Sequence, residues 1–219
     1  MAEDRPAQVA GTARPRGRQA QAAHNDALIL QAARDVFLAD PTAPISAVAE
    51  RAGVGIGALY HRYASKEDLL RTLCRTGQEI YLAEIKRALA SDDEPWEAWT
   101  GFLRRIVAAN THGLTVRLAG TFTPSEEQLA LAEQMQSLGI ELFERVRGTG
   151  LLRDDVTYLD IEFLLEFLAS VRLGDSTRTA ELRQRHLAVI IDGLRSGRRT
   201  PLPGQPPTWQ EQTERWIRH

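Results

Sequence analysis

The chain has 219 residues, 43% of them hydrophobic and 26% charged, which is typical of a globular protein rather than a disordered one. No apolar run approaches the roughly 20 residues of a membrane-spanning helix. Residues 1–6 lack the apolar core of a secretory signal, so we expect a cytoplasmic protein without a membrane partner. One cysteine, Cys74, excludes an internal disulfide, and no cluster of Cys and His has zinc-ligand spacing. We predict no metal and no cofactor.

The net charge of −2 argues at first against a nucleic-acid partner, but the charge is unevenly distributed. Residues 1–75 carry a small excess of basic side chains and the remainder an excess of acidic ones. Residues 1–23, with Arg16 and Arg18, show no hydrophobic period, which predicts a flexible basic arm. Two interpretations of this arm stay open: a solvated tail, or an arm that contacts DNA phosphates or the minor groove.

After Asn25 and Asp26 the apolar residues recur at helical spacing, which predicts a first helix. Either Asn25 or Asp26 can cap its start. Pro41 ends that helix, because the residue before a proline disfavours the α region. The same spacing predicts a second helix over residues 44–52. Gly53 then supplies the left-handed conformation that often follows a helix.

A third helix is predicted over residues 56–63. Two short helices joined by a tight glycine turn form a helix-turn-helix, whose second helix enters the major groove of DNA. The segment Ser65-Lys66-Glu67-Asp68 has the layout of a capping box, with Asp where Glu or Gln is usual. It opens a long helix that reaches residue 89.

The rest of the chain predicts further helices and no convincing strand or repeat. Residues 197–207 are rich in Pro, Gly and Arg and predict a linker, and residues 208–219 predict a short last helix. The other predicted helices cover residues 95–109, a short stretch within 110–124, 125–147, 155 or 157 to 173, and 177–195. The fold class is therefore all-α.

Residues 15–75 resemble the TetR family of transcriptional regulators. The motifs that carry the resemblance are Arg16-Gly17-Arg18, Val48-Ala49-Glu50-Arg51-Ala52-Gly53-Val54, Gly57-Ala58-Leu59-Tyr60-His61-Arg62-Tyr63 and Ser65-Lys66-Glu67-Asp68-Leu69. The resemblance implies an N-terminal three-helix helix-turn-helix DNA-binding domain, joined by a fourth helix to a larger helical ligand-binding and dimerisation domain. Two positions depart from the family pattern: Tyr63 replaces a more usual Phe, and Pro44 replaces a Thr or Ser cap.

With this resemblance we divide the chain into four parts. They are a flexible basic arm (1–23), the helix-turn-helix domain (24–70), the ligand-binding and dimerisation domain (71–196) and a Pro-rich C-terminal tail (197–219).

The predicted DNA contacts follow from the residue types on and near the third helix. Gly55 and Gly57 have no side chains, so their backbone can approach DNA closely. Ala58 offers a methyl group, which suits a thymine methyl. By resemblance, Tyr60 contacts phosphate, and His61 contacts phosphate or a base edge.

Two further candidates flank the motif. Lys66 combines its charge with a helix N-terminus, which favours phosphate, and Thr42 is a candidate for contact with the DNA backbone. Because the third helix has no Asn, Gln or Arg before Arg62, we expect specificity to use DNA shape as well as base contacts.

The larger domain concentrates aromatic and mixed-polarity side chains of the kind that line small-molecule sites. For each aromatic residue the alternative is ordinary core packing. His112 and Arg117 can orient an acidic or polar group of an effector, and their alternative is a solvated or interface role. The candidate effector contacts are Tyr81, Trp99, Phe102, His112, Arg117, Phe122, Met135, Phe163 and Phe167.

The resemblance implies a dimeric, ligand-responsive regulator, most often a repressor released from a palindromic operator by a small-molecule effector. The last two long helices are apolar over a wide arc and are candidates for the dimer interface. The alternative is an all-helical DNA-binding architectural or adaptor protein without an effector. We predict no enzymatic activity, because the five His residues are scattered and no nucleophile or Glu-x-x-His motif appears.

Overall fold

The computed structural model describes residues 15–118, 121–197 and 200–214, and for residues 15–24 and 115–117 it describes the backbone alone. Within these residues the chain forms ten α-helices and no β-strand, which confirms the predicted all-α class. The helices are α1 (Pro15–Ala39), α2 (Ile45–Ala52), α3 (Ile56–Arg62), α4 (Lys66–Leu89), α5 (Pro95–Ala109), α6 (Thr111–Leu118), α7 (Glu126–Arg147), α8 (Tyr158–Ser170), α9 (Ser176–Leu194) and α10 (Trp209–Glu214).

Side-chain caps begin the long helices at the residues that the sequence predicts. The Ser65 hydroxyl accepts a hydrogen bond from the backbone N–H of Asp68 at the start of α4. Ser125 and Thr157 begin α7 and α8 with complete capping boxes. A cap of this kind contributes about 1 kcal/mol to stability. Gly53 follows α2 with a φ of 68°, as the glycine turn requires.

Helix α1 begins at Pro15, well before the predicted cap at Asn25 or Asp26, so that predicted start was wrong. Pro15 suits a first helical position, and the residues after it are mostly Ala, Gln and Arg, which favour a helix without an apolar stripe. Hydrophobic periodicity does not detect such a segment. Of the arm predicted over residues 1–23, residues 1–14 lie outside the described part of the chain.

Two clusters of buried side chains form the interior. The first joins α1, α2, α3 and the start of α4 around Phe37 and Leu59, neither of which has exposed surface. Leu114 and Leu118 of α6 pack in the same cluster, so α6 rests against the N-terminal helices. The second cluster lies among α4, α5, α7, α8 and α9, with Trp99 in its centre.

The Arg34 side chain of α1 contacts the backbone between α5 and α6. Arg34 donates hydrogen bonds to the backbone carbonyls of Ala109 and Asn110, the latter at 2.7 Å. Asn110 follows α5 in the left-handed conformation, so these carbonyls belong to the helix end, where intrahelical donors are lacking. The guanidinium also lies at the negative end of the α5 dipole. Arg34 therefore ties α1 to the larger domain.

This contact gives a stability prediction. The substitution Arg34→Met keeps the apolar stem and removes the donor of two carbonyls, so we expect the free energy of unfolding to fall by about 1–3 kcal/mol. Urea titration followed by circular dichroism measures it. The control Gln31→Met, at an exposed position of the same helix, should stay within about 0.5 kcal/mol of the parent protein. Equal losses in the two variants would contradict the structural role of Arg34.

Candidate nucleic-acid interface and interior polar cluster

Helices α2 and α3, joined at Gly53, form the predicted helix-turn-helix. Leu59 has no exposed surface and Tyr63 is 5% exposed, and these two side chains fix α3 on the first core cluster. We call the exposed surface on the other side of α3 the α3 face. The sequence-predicted residues that it brings together are Gly55, Gly57, Ala58, Tyr60 and His61.

The two glycines of the α3 face could each carry a side chain without a clash in the described part of the protein. A Cβ atom added at Gly55 or Gly57 would meet no atom within 4 Å, and neither residue has a positive φ. Their missing side chains therefore leave open space outside the protein. Such space permits another molecule to approach the backbone closely.

Ile56 completes the α3 face and was missed by sequence reasoning. Its side chain is 43% exposed, and Tyr60, one turn later, is 50% exposed. An isoleucine three residues before the buried Leu59 is typical of a core position. The hydrophobic periodicity of the sequence therefore did not predict that Ile56 is exposed.

Lys66 has partners inside the protein. Its ammonium donates hydrogen bonds to the carbonyl oxygens of Pro41 at 3.1 Å and Ala43 at 2.7 Å. It also lies 5.1 Å from the centre of the Phe37 ring, a cation–π contact. Lys66 therefore holds the loop between α1 and α2 against the start of α4. The predicted phosphate contact would have to use its third proton or replace one of these bonds.

Thr42 lies in the same loop and is exposed. Its hydroxyl and its backbone N–H both donate to the Asp40 carboxylate, at 2.7 and 2.8 Å. These bonds hold the pKa of Asp40 below its ordinary value, so a negative charge lies beside Thr42. A phosphate close to Thr42 would therefore need a compensating cation. The side chains of Arg16 and Arg18 lie outside the described residues, although their backbone belongs to α1.

A polar cluster is enclosed in the larger domain around Glu162 of α8, whose side chain is 15% exposed. The Tyr81 hydroxyl donates to Glu162 Oε1 at 2.7 Å, and Nε2 of His112 lies 3.4 Å from Oε2. Burial acts to raise the pKa of Glu162, but the interactions with His112, Tyr81 and Tyr158 hold it below its ordinary value. Burial raises the pKa of both tyrosines, so each stays a neutral donor beside an ionised carboxylate.

Three of the predicted effector contacts meet at the polar cluster, because Tyr81 and His112 contact Glu162 and Phe102 packs against Tyr81. Trp99 and Met135 belong to the surrounding second core cluster. Sequence reasoning missed Glu162 and Tyr158, which complete the polar cluster. A signal was present, because Glu162 is an acidic residue within a helix whose neighbouring positions are almost all apolar.

Phe122, Phe163 and Phe167 lie elsewhere in the described structure. Phe122 packs in the first core cluster, because the segment after α6 leans on the N-terminal helices. Phe163 and Phe167 lie one turn apart on the side of α8 that faces away from the core. Phe167 is 61% exposed, and Phe163 lines a surface groove. The side chain of Arg117 lies outside the described residues.

The described structure has a small cavity beside the polar cluster and a larger groove on its surface. A cavity of about 10 Å³ next to His112 has room for about one water molecule. A surface groove of about 430 Å³ runs between α8 and α9 and is lined mainly by Val156, Phe163, Leu164, Ile190, Leu194 and Leu202. In the described ranges we find no helix with the length and apolarity to cross a membrane and no group of three His, Cys, Asp or Glu side chains that could hold a metal.

A helix-turn-helix on a small N-terminal core, followed by a larger helical domain, defines a class of DNA-binding regulators. Comparison with protein families agrees with this class. The model for "Bacterial regulatory proteins, tetR family" matches residues 29–73, and the model for "Transcriptional regulator SbtR-like, C-terminal domain" matches residues 94–196. The chain belongs to the TetR family of transcriptional regulators, which confirms the resemblance seen in the sequence.

Individual relatives give the same assignment. The HTH-type transcriptional repressor KstR2 of Mycobacterium tuberculosis is 24% identical over 166 residues, which cover 67% of this chain and 80% of that protein. The TetR transcription regulatory protein from Mycobacterium vanbaalenii is 27% identical, with a TM-score of 0.53 over 81% of this chain and 99% of that one. The TetR transcriptional regulator SCO0520 from Streptomyces coelicolor is 26% identical, with a TM-score of 0.53 over 78% of this chain and 98% of that one.

The position of Lys66 gives the second prediction. The substitution Lys66→Met removes the donor of two loop carbonyls, so we expect the free energy of unfolding to fall by about 1–3 kcal/mol. The chain contains one other lysine, Lys86, which is exposed on the same helix and provides a matched control. Lys86→Met should change the stability by less than about 0.5 kcal/mol in the same denaturant titration. A neutral Lys66→Met would mean that the ammonium is not held by the loop.

Proposed function

We propose that the protein is a homodimeric repressor that binds a palindromic operator in double-stranded DNA through two α3 faces and is released by a small-molecule effector. The α3 face carries this proposal. It is exposed, it is fixed by buried side chains beneath it, and its glycines have no packing role inside the protein. The similarity to a TetR-type repressor supports repression as the outcome of binding.

The α3 face supplies the proposed contacts with the major groove, and the surrounding residues supply contacts with the DNA backbone. Ile56 adds an apolar group for thymine methyls. Since the face is poor in side chains that pair with base edges, DNA shape contributes to specificity. The proposed contact residues are Arg16, Arg18, Thr42, Gly55, Ile56, Gly57, Ala58, Tyr60, His61 and Lys66.

The outer surface of α8 and α9 supports dimerisation. Phe167 and Val189 are 61% and 66% exposed, and a mainly apolar groove lined by Phe163 and Ile190 runs between the two helices. Apolar surface of this extent usually marks a binding partner. Two copies packed through these helices form a four-helix bundle with two-fold symmetry. That symmetry would present two α3 faces roughly 34–36 Å apart, one turn of DNA.

Release by an effector requires a link between the larger domain and α3. The proposed effector residues around the polar cluster include His112, near the start of α6. The carbonyl of Asn110, two residues earlier, accepts a hydrogen bond from Arg34 of α1. A ligand that moves the start of α6 would therefore shift the N-terminal helices against the larger domain and change the separation of the two α3 faces.

A second candidate function is supported by the small cavity beside the polar cluster. Small-molecule sites usually enclose about 300–1,000 Å³, whereas the cavity beside His112 holds about 10 Å³. A protein that binds DNA with the same fold but takes no effector would look the same. A thermal-shift screen separates the two functions, since a ligand that binds the folded state must raise the melting temperature.

Selection of duplexes from a random library tests the main proposal. The full-length protein should enrich palindromes with half-sites about 10 base pairs apart, or a multiple of that spacing, and bind them as a dimer in sedimentation analysis. Enrichment of sequences without two-fold symmetry, bound by a monomer, would contradict it.

Gly57 gives the third prediction. In Gly57→Ala the new methyl group meets nothing inside the protein, so stability should stay the same or rise by up to about 1 kcal/mol. Affinity for the selected palindrome should fall about tenfold, or about 1.4 kcal/mol, because the methyl group occupies space that DNA needs.

Gly77→Ala is the control for that variant, because Gly77 also lies in a helix and an added Cβ there meets nothing within 4 Å. Fluorescence anisotropy of labelled DNA should give the parent affinity for Gly77→Ala. If Gly57→Ala also binds with the parent affinity, the α3 face does not approach DNA closely at this residue.

Val189 gives the fourth prediction. The substitution Val189→Glu places a charge on the proposed dimer surface, so the protein should become monomeric at micromolar concentration and lose at least tenfold in DNA affinity. Leu129→Glu is the control, because Leu129 is an exposed apolar residue of α7, at 53%, away from α8 and α9. Analytical ultracentrifugation reads out the result. A dimeric Val189→Glu variant would exclude this surface as the interface.

A further inference from the structure

The carboxylate of Glu162 is enclosed with little positive charge around it. Tyr81 and Tyr158 are neutral donors. Among the residues that the structure describes as contacting Glu162, His112 is the group that can carry a positive charge, and its Nε2 lies 3.4 Å away. Charge-assisted hydrogen bonds are usually about 2.7–2.9 Å long. The contact is therefore long for an ion pair, and a ligand cation at shorter distance would bind the carboxylate more strongly.

Aromatic rings pack around the tyrosine and histidine side chains that contact this carboxylate. The Tyr81 ring packs edge-on against Phe102, with centroids 5.4 Å apart, and against His112 at 5.3 Å. The Tyr158 ring packs edge-on against Phe143 at 6.3 Å. The negative charge of the carboxylate disfavours an acidic ligand. The rings nearby favour a cation that also has an apolar body.

The C-terminal tail adds one more ring to this group. The ring centroids of Trp209 in α10 and Tyr158 are 6.0 Å apart, and the two ring planes are inclined by 30°. Upstream, the tail is anchored where Arg153 donates to the Thr200 carbonyl at 3.0 Å and the Leu202 N–H donates to Asp155 at 2.9 Å. The matched family region ends at residue 196, so this ring lies outside it.

Of these rings, Trp209 can move with the smallest loss of buried packing. It is 40% exposed, whereas Tyr81, Phe102 and Phe143 are each less than 5% exposed. It belongs to a helix of six residues with no buried member. The cavity beside His112 has room for only about one water, so a larger ligand that binds next to His112 must displace a protein group. Displacement of Trp209 leaves the core clusters intact.

We propose that Glu162, with the rings of Tyr81, Tyr158 and Trp209, forms the effector site, and that the effector is a monocation with an aromatic or apolar body. This inference rests on the proposed function, because it names the chemical class of the effector. The cation takes the place of His112 beside Glu162, and Trp209 closes over the apolar body. Movement of His112 then reaches Arg34 through the start of α6.

A set of three probes of similar size and different charge tests this site on the full-length protein. They are benzyltrimethylammonium, benzyl alcohol and benzoate, titrated by calorimetry and by tryptophan fluorescence. Benzyltrimethylammonium should bind at least tenfold more tightly than the other two. Glu162→Gln keeps the shape and removes the charge, so it should abolish this preference.

Trp209→Ala provides a second variant, since removal of an exposed ring from the tail leaves the core unchanged. It should weaken binding of benzyltrimethylammonium several-fold, with the circular dichroism spectrum and melting temperature of the parent protein. If the three probes bind alike, if none binds, or if the preference survives in Glu162→Gln, the cation site is wrong.

A second experiment tests whether the protein is a ligand-responsive regulator at all. It measures release of the selected DNA by a panel of cationic, neutral and acidic small molecules. Release by neutral or acidic compounds, and not by cations, would overturn the cation site and keep the ligand-responsive regulator. Failure of every compound to bind or release would overturn both.

Discussion

The two hydrogen bonds of Arg34 tie the N-terminal helices to the larger domain at a point away from the connecting helix α4. They join α1, which helps to form the base of the helix-turn-helix, to the carbonyls where α5 ends. Leu114 and Leu118 of α6 pack into the N-terminal core directly beyond this point. The orientation of the α3 face relative to α8 and α9 therefore depends on residues 109–118 together with the continuous helix α4. A change in the larger domain that moves residues 109–118 would reach α3 through α1 and the N-terminal core cluster.

The electrostatics explain why the proposed DNA binding needs two copies. The chain has a net charge of −2, and two exposed arginines next to the α3 face are paired with acidic residues, Arg51 with Asp35 and Arg62 with Asp26. A single α3 face has few cations for phosphates, so a broad basic surface does not provide the affinity. In the proposed dimer, two α3 faces at fixed spacing would add their contacts, and the apolar surface of α8 and α9 would hold that spacing.

The fold was largely predictable because its signals are local. Caps at Ser65, Ser125 and Thr157 and the turn at Gly53 act within a few residues, and hydrophobic periodicity placed most of the helices. The early start of α1 escaped prediction because its first residues favour a helix without forming an apolar face.

The sites were less predictable because they depend on contacts between distant residues. Lys66 meets the Pro41 and Ala43 carbonyls through the folding of α1 and α2 against α4, and nothing near Lys66 in sequence indicates it. Glu162 meets His112 and Tyr81 from two other helices. The α3 face itself followed from a local motif and was predicted. The aromatic residues were assigned by type, and of these Tyr81 and Phe102 meet at the polar cluster.

We propose that the α3 face is the surface that binds DNA. Amide hydrogen exchange of the full-length protein can be compared with and without the selected palindrome. We expect slower exchange at residues 55–62 in the complex, together with a smaller change at residues 109–114, which Arg34 connects to α1. Unchanged exchange over residues 55–62, with protection confined to other parts of the chain, would contradict it.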